Sequence, residues 1–224
     1  MNIKFIGAAI VGAAMMVATP AISASLSIVG GVADTLPANF NPTPSTGASV
    51  GDAVTVFQAA ADGGAIGGGL QIDPLGSGAM IRVTFLGKEA GAQNLASMDL
   101  IGSTGVLNNK TSVAGDFIDF ADAGGFVDFL FRTTNANETV GFNPAITNGG
   151  VSEFAPMSMS FGSIFTGSNG RDAVLAFFGD GRGDNDFDDM VVSIQIIPLP
   201  AGILLMLTAL GGLAFVGRRR RMAA

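Results

Sequence analysis

Residues 79–86 alternate Met80, Arg82 and Thr84 with Ile81, Val83 and Phe85, a period of two that gives a β-strand one apolar face. Met157, Met159 and Phe161 alternate in the same way with Ser158 and Ser160. Met190, Val192, Ile194 and Ile196 alternate with Val191, Ser193 and Gln195. Residues 125–133 and 172–178 read as further strands, and the second is apolar at nearly every position, as expected of a central strand buried on both faces. Shorter runs at 54–57, 70–72, 98–101 and 117–120 are weaker strand candidates. Gly, Asn and Pro punctuate these runs, and no convincing helical period lies between them. The pattern predicts an all-β fold, a single β-sandwich-like domain. Residues 33–51, with Pro37, Pro42 and Pro44, and the glycine-rich stretch 62–69 are expected to be exposed loops within it.

The two ends break this pattern. Residues 199–216 carry no charge and one hydroxyl, Thr208. As a helix they would span about 27 Å, enough to cross a bacterial inner membrane. Arg218, Arg219, Arg220 and Arg221 follow as a membrane stop that holds the C-terminus in the cytoplasm and puts the preceding chain outside. At the N-terminus Lys4 precedes an apolar run over 5–18, too short for a span. Small residues at 19–24 offer signal peptidase a site after Ala24 or after Ser23. The expected organisation is a signal peptide at 1–24, an exported β domain at 25–196, and a sorting tail at 197–224 with its transmembrane helix at about 199–217.

Ile197, Pro198, Leu199, Pro200 and Ala201, the Leu/Gly-rich segment behind them and the terminal arginines resemble the VPLPA branch of the PEP-CTERM sorting signals. Ile197 stands where that family usually has Val. Such tails are recognised by exosortases, membrane-embedded cysteine proteases or transpeptidases. The resemblance implies anchoring in the inner membrane, N-out and C-in, then processing to the cell surface or the extracellular space. It also implies a link to exopolysaccharide or biofilm. A plain C-terminal anchor that is never processed is the alternative reading of the same residues.

Charge sharpens the picture. All 18 acidic residues lie in the domain, whereas only six of the 11 basic residues do: Arg82, Lys88, Lys110, Arg132, Arg171 and Arg182. The exported part therefore carries about −12 against −7 for the whole chain, a field that repels phosphate backbones and excludes nucleic acid as a partner. The chain has no Cys and no His, which removes disulfides, thiolate nucleophiles, Ser-His-Asp triads and the usual zinc sites. Its 17 aromatics are all Phe, without the amphipathic Trp and Tyr rings that sugar-binding surfaces generally present.

One segment carries chemistry. Asp180, Asp184, Asp186, Asp188 and Asp189 place five carboxylates in ten residues between two apolar strands, with Gly179, Gly181 and Gly183 among them. Carboxylates this dense repel one another unless a cation or water screens them. Asp184, Asp186 and Asp188 alternate, so an extended chain points them to one side; Asp180 could fold back to join them, and Asp189 breaks the alternation. Hard oxygen ligands on a glycine-rich loop suit Ca²⁺. The spacing is not that of an EF-hand, because Asp189 and Gln195 occupy the loop positions that need Gly and Glu. The segment is also similar to the strand–Asp-rich loop–strand motif ending in "DFND" of several exported bacterial β domains, with Asp188 where Asn is common. That similarity implies a calcium-holding loop. A solvated acidic turn without metal is the other reading.

Asp116, Asp119, Asp122 and Asp128 form a second acidic group, which strand pairing could bring near the loop. Two function classes follow. The first is a non-enzymatic surface or extracellular-matrix protein, calcium-stabilised and sorted by an exosortase. The alternative is a secreted carboxylate-dependent polysaccharide hydrolase, whose acid and base would sit on separate elements flanking a cleft.

Overall fold

The alternation at 79–86 becomes strand β6 (Ala79–Gly87), with Ala79, Ile81, Val83 and Phe85 buried and the intervening residues half-buried. The computed structural model describes residues 24–59, 63–74, 78–89, 91–97, 106–134, 143–181 and 186–197. The signal peptide, the strand expected at 98–101, the loop residue Asp184 and the tail from Pro198 lie outside these residues. Among the described residues the structure is all β-strand and turn, without a helix.

The largest sheet runs in the order β2 (Val32–Thr35), β3 (Ala53–Gln58), β14 (Ser158–Gly162), β16 (Asp172–Gly179), β17 (Met190–Ile197), β6 and β9 (Phe117–Asp122), with β15 (Phe165–Thr166) added on β16. A six-stranded sheet runs β4 (Gly64–Ala65), β13 (Val151–Ser152), β12 (Ala145–Thr147), β11 (Leu130–Thr133), β7 (Asn94–Ser97) and β8 (Val106–Asn108). Three strands, β1 (Ser25–Gly30), β5 (Gly68–Asp73) and β10 (Gly125–Phe126), form the third. Every pairing between these strands is antiparallel.

One apolar cluster joins the sheets. Phe161, Val174, Ala176, Phe178, Val192, Ile194 and Ile81 of the large sheet meet Leu70 and Ile72 of the three-stranded one and Ala96, Phe131 and Ile146 of the six-stranded one. This is a sandwich-like arrangement, with the core between the large sheet and the other two. Phe131 stacks on Phe178 at 4.8 Å between ring centres and 12° between planes, tying β11 to β16. Asn148, buried beyond β12, accepts from the Leu70 N–H at 2.7 Å and donates to the carbonyls of Leu70 and Val127 at 2.7 and 2.8 Å, so it links the two smaller sheets.

β16 is buried on both faces, as its continuous apolar run predicts. Val174, Ala176 and Phe178 face the main core, while Phe177 belongs to a second cluster with Leu36, Phe40, Val54, Phe187 and Val191. The expected exposed loop at 33–51 is therefore corrected in part. It begins on β2 and then crosses the outer face of the sheet as a strap, burying Leu36 and Phe40. Phe40 meets Phe177 edge to face at 5.7 Å. The reason is the second apolar face of β16: burying one Leu or Phe side chain there contributes about 1.5–3 kcal/mol. The expected loop at 62–69 likewise contains β4 and the start of β5.

The single strand expected at 125–133 is two strands in different sheets. Phe126 pairs with Gln71, whereas Leu130 pairs with Thr147 and Ser97, so the chain changes sheets at 127–129. Val127 and Phe129 stay buried through the crossing and keep an apolar pattern that reads as one strand.

Candidate metal centre

β16 and β17 are neighbours in the large sheet, and the acidic segment connects them. Two backbone features shape it. Gly181 has φ 75°, and a Cβ there would lie 2.4 Å from Pro156 Cβ, so neither the conformation nor the space admits a side chain. Phe187 is left-handed at φ 64°, uncommon for a bulky residue, and is held by burial among Leu36, Phe40 and Phe177. Asp186 and Asp188 thus flank a buried aromatic anchor in a turn rather than alternating along an extended strand.

Asp180, Asp186, Asp188 and Asp189 are 1%, 3%, 0% and 8% exposed, an unusual burial for four carboxylates. Asp186 and Asp188 meet Glu89, which follows β6: the three offer carboxylate oxygens that all lie within 4.8 Å of one another, close enough to hold one metal ion. Glu89 arrives there because β6 bulges. Val192 faces Phe85 but Val191 faces Gly87, leaving Leu86 as the extra residue. The Glu89 N–H then donates to the Asp188 carbonyl at 2.7 Å.

The strap closes one side of the cluster. Asn41 N–H donates to Asp188 Oδ2, and Asn39 Nδ2 donates to Asp186 Oδ2 at 3.2 Å. On the other side, Asp189 Oδ2 accepts the Asp180 N–H at 2.6 Å, and Asn94 Nδ2 donates to Asp180 Oδ2 at 3.4 Å. Asn109 completes this side, accepting the Asn94 N–H at 2.9 Å and donating to the Asp189 carbonyl at 3.5 Å. Burial, foremost, and the charges of Asp180 and Asp186 push the Asp189 carboxyl up to about 8, against the pull of the Asp180 N–H. The donor set is oxygen throughout, which suits a hard divalent cation rather than zinc or copper.

Of the residues expected from sequence, Asp186 and Asp188 share one cluster, Asp180 and Asp189 sit together beside it, and Asp184 lies outside the described residues. Glu89, Asn94, Asn109, Asn39 and Asn41 were not anticipated. Only the oxygen-bearing side chains in Asn39-Phe40-Asn41 and Asn108-Asn109 hinted at them.

The second acidic group is put to local structural use. Asp119 forms a bidentate ion pair with Arg82, its cross-strand partner, at 2.7 Å, and Arg82 also lies over the Phe117 ring at 3.8 Å. Asp122 accepts the N–H groups of Gly124 and Asp128, both at 2.8 Å, and Asp116 accepts that of Val113 at 2.9 Å. Asp128, expected within a strand, lies between β10 and β11. Comparison of the chain with protein-family models and with curated proteins found no match.

Proposed function

We propose that this is a non-enzymatic surface or matrix protein whose β domain is locked by Ca²⁺ at Glu89, Asp186 and Asp188. The carrying observation is that these three carboxylates, two of them buried, converge within 4.8 Å from two segments far apart in sequence. An ion there offsets like-charge repulsion and joins β6 to the loop before β17, while Asn39 and Asn41 hold the strap to the same carboxylates. Calcium also fits an exported domain, because extracellular sites need only modest affinity.

The same reading puts the domain outside the inner membrane, anchored by the tail and processed by an exosortase, with exopolysaccharide as its surroundings. It is supported by the motif at 197–201, by Arg218–Arg221 and by the acidic, His-free and Cys-free domain. β17 runs to Ile197, so a cut within the motif beyond it would leave the last strand whole.

The test is thermal unfolding of the full-length chain in mild detergent, in EDTA and in millimolar Ca²⁺. Saturation at 100 times the dissociation constant adds about 2.7 kcal/mol. Glu89→Gln and Asp186→Asn should each remove most of the gain that this site contributes. Equal melting temperatures in EDTA and in Ca²⁺ would overturn the metal reading.

A further inference from the structure

Beyond the cluster at Glu89, the inner side of the same loop presents a second set of oxygen atoms. Asp180 and Asp189, both buried, are joined by the 2.6 Å hydrogen bond between them. Among the described residues, neither belongs to the group of carboxylates around Asp186 and Asp188 that one ion could gather. Facing them is β7 of the six-stranded sheet, where Asn94 is 0% exposed and gives its Nδ2 to Asp180 Oδ2. Asn94 Oδ1, on the same buried amide whose nitrogen reaches Asp180, has no hydrogen-bond partner among the described residues. Directly across the ladder from Asn94 is Thr133 of β11. Cross-strand partners project to the same face of a sheet, and Thr133 Oγ1 is also fully buried and likewise without a partner.

Two orphaned oxygens on cross-strand neighbours of one sheet, one of them on an amide that reaches a buried carboxylate of the other sheet, are difficult to account for by packing. A buried polar atom left unpaired is destabilising, and two adjacent ones double the cost. All four groups are oxygen donors, and an ion among them would satisfy the orphans and neutralise the carboxylates together. We propose that Asp180, Asp189, Asn94 Oδ1 and Thr133 Oγ1 form a second divalent-cation site, distinct from that of Glu89, Asp186 and Asp188. The two ions divide the work. The outer one holds the strap and the end of β6, and the inner one joins β7 and β11 to β16 and β17, beside the Phe131–Phe178 stack. The second site rests on the proposed oxygen-ligand metal chemistry of this loop but not on Glu89.

The test is Ca²⁺ stoichiometry by equilibrium dialysis of the full-length chain in mild detergent after chelation. Wild type should bind two ions, and Glu89→Gln and Asp189→Asn one each. Thr133→Val, which keeps shape but removes the oxygen, should weaken the ion retained by Glu89→Gln about tenfold. Two ions in Asp189→Asn would overturn the second site. One ion in wild type, lost in Glu89→Gln and kept in Asp189→Asn, would also overturn it while leaving the outer site standing. No ion in wild type would overturn both.

Discussion

The backbone N–H of Asp180 donates to Asp189 Oδ2 at 2.6 Å, tying together two buried residues nine positions apart at the base of the loop. The bond fastens β16 to β17 at their shared end, but it also fixes carboxyl groups that repel one another. Without a metal, the fold is therefore easier to keep when a proton is present.

That gives a pH dependence with a definite sign. The Asp189 carboxyl is raised from its ordinary 3.8 to about 8 in the folded protein, first by burial and then by the charges of Asp180 and Asp186. The resulting stabilisation is complete below about pH 4 and is lost as pH rises through 8, by up to about 1.4 kcal/mol per pH unit. In EDTA the melting temperature should fall between pH 5 and pH 8, and Asp189→Asn should flatten the fall. In saturating Ca²⁺ the slope should reverse, because metal binding needs the ionised carboxylates. A wild-type profile in EDTA that rises over this range would contradict the assignment.

Asn148 carries a prediction independent of metal. Its side chain satisfies the Leu70 N–H and the carbonyls of Leu70 and Val127 where the two smaller sheets meet. Asn148→Ala strips these buried groups of their partner and should destabilise the protein by about 2–4 kcal/mol in both EDTA and Ca²⁺. Denaturant unfolding measures it. A loss under about 0.5 kcal/mol would show that water replaces the amide.

Gly181 tests the loop backbone. Its φ is 75°, and a methyl group on its Cα would come within 2.4 Å of Pro156, which leaves no room for Ala. Gly181→Ala should cost at least about 2 kcal/mol and weaken Ca²⁺ binding, since it moves Asp180. Calorimetry and a calcium titration on one sample separate the two effects. Unchanged calcium affinity together with wild-type stability would refute the close packing.

Export and processing can be checked in cells. Reporter fusions at residue 100 should be active outside the inner membrane, and an epitope placed after Ala224 should be lost from the mature protein in a host containing an exosortase. Retention of the epitope there would remove the processing step, and a cytoplasmic reporter at residue 100 would remove the topology.

Local periodicity determined much of the fold. The alternation in β6, β14 and β17 names the core-facing residues directly, because a strand's two faces differ at every second position. The apolar run of β16 marks it as buried on both sides, and the density of carboxylates marks the loop that follows. What covers β16, and what meets the carboxylates, depends on contacts that no window of sequence contains. Asn39 reaches Asp186 from 147 positions away, Asn94 reaches Asp180 from 86, and Thr133 faces Asn94 only through the β7–β11 register. The crossing at 127–129 was hidden for a related reason: Val127 and Phe129 are buried whichever sheet the chain joins, so the hydrophobic pattern is the same for one strand or two. Sequence specifies which side chains leave water. Strand register and the packing of one sheet on another decide which of them meet.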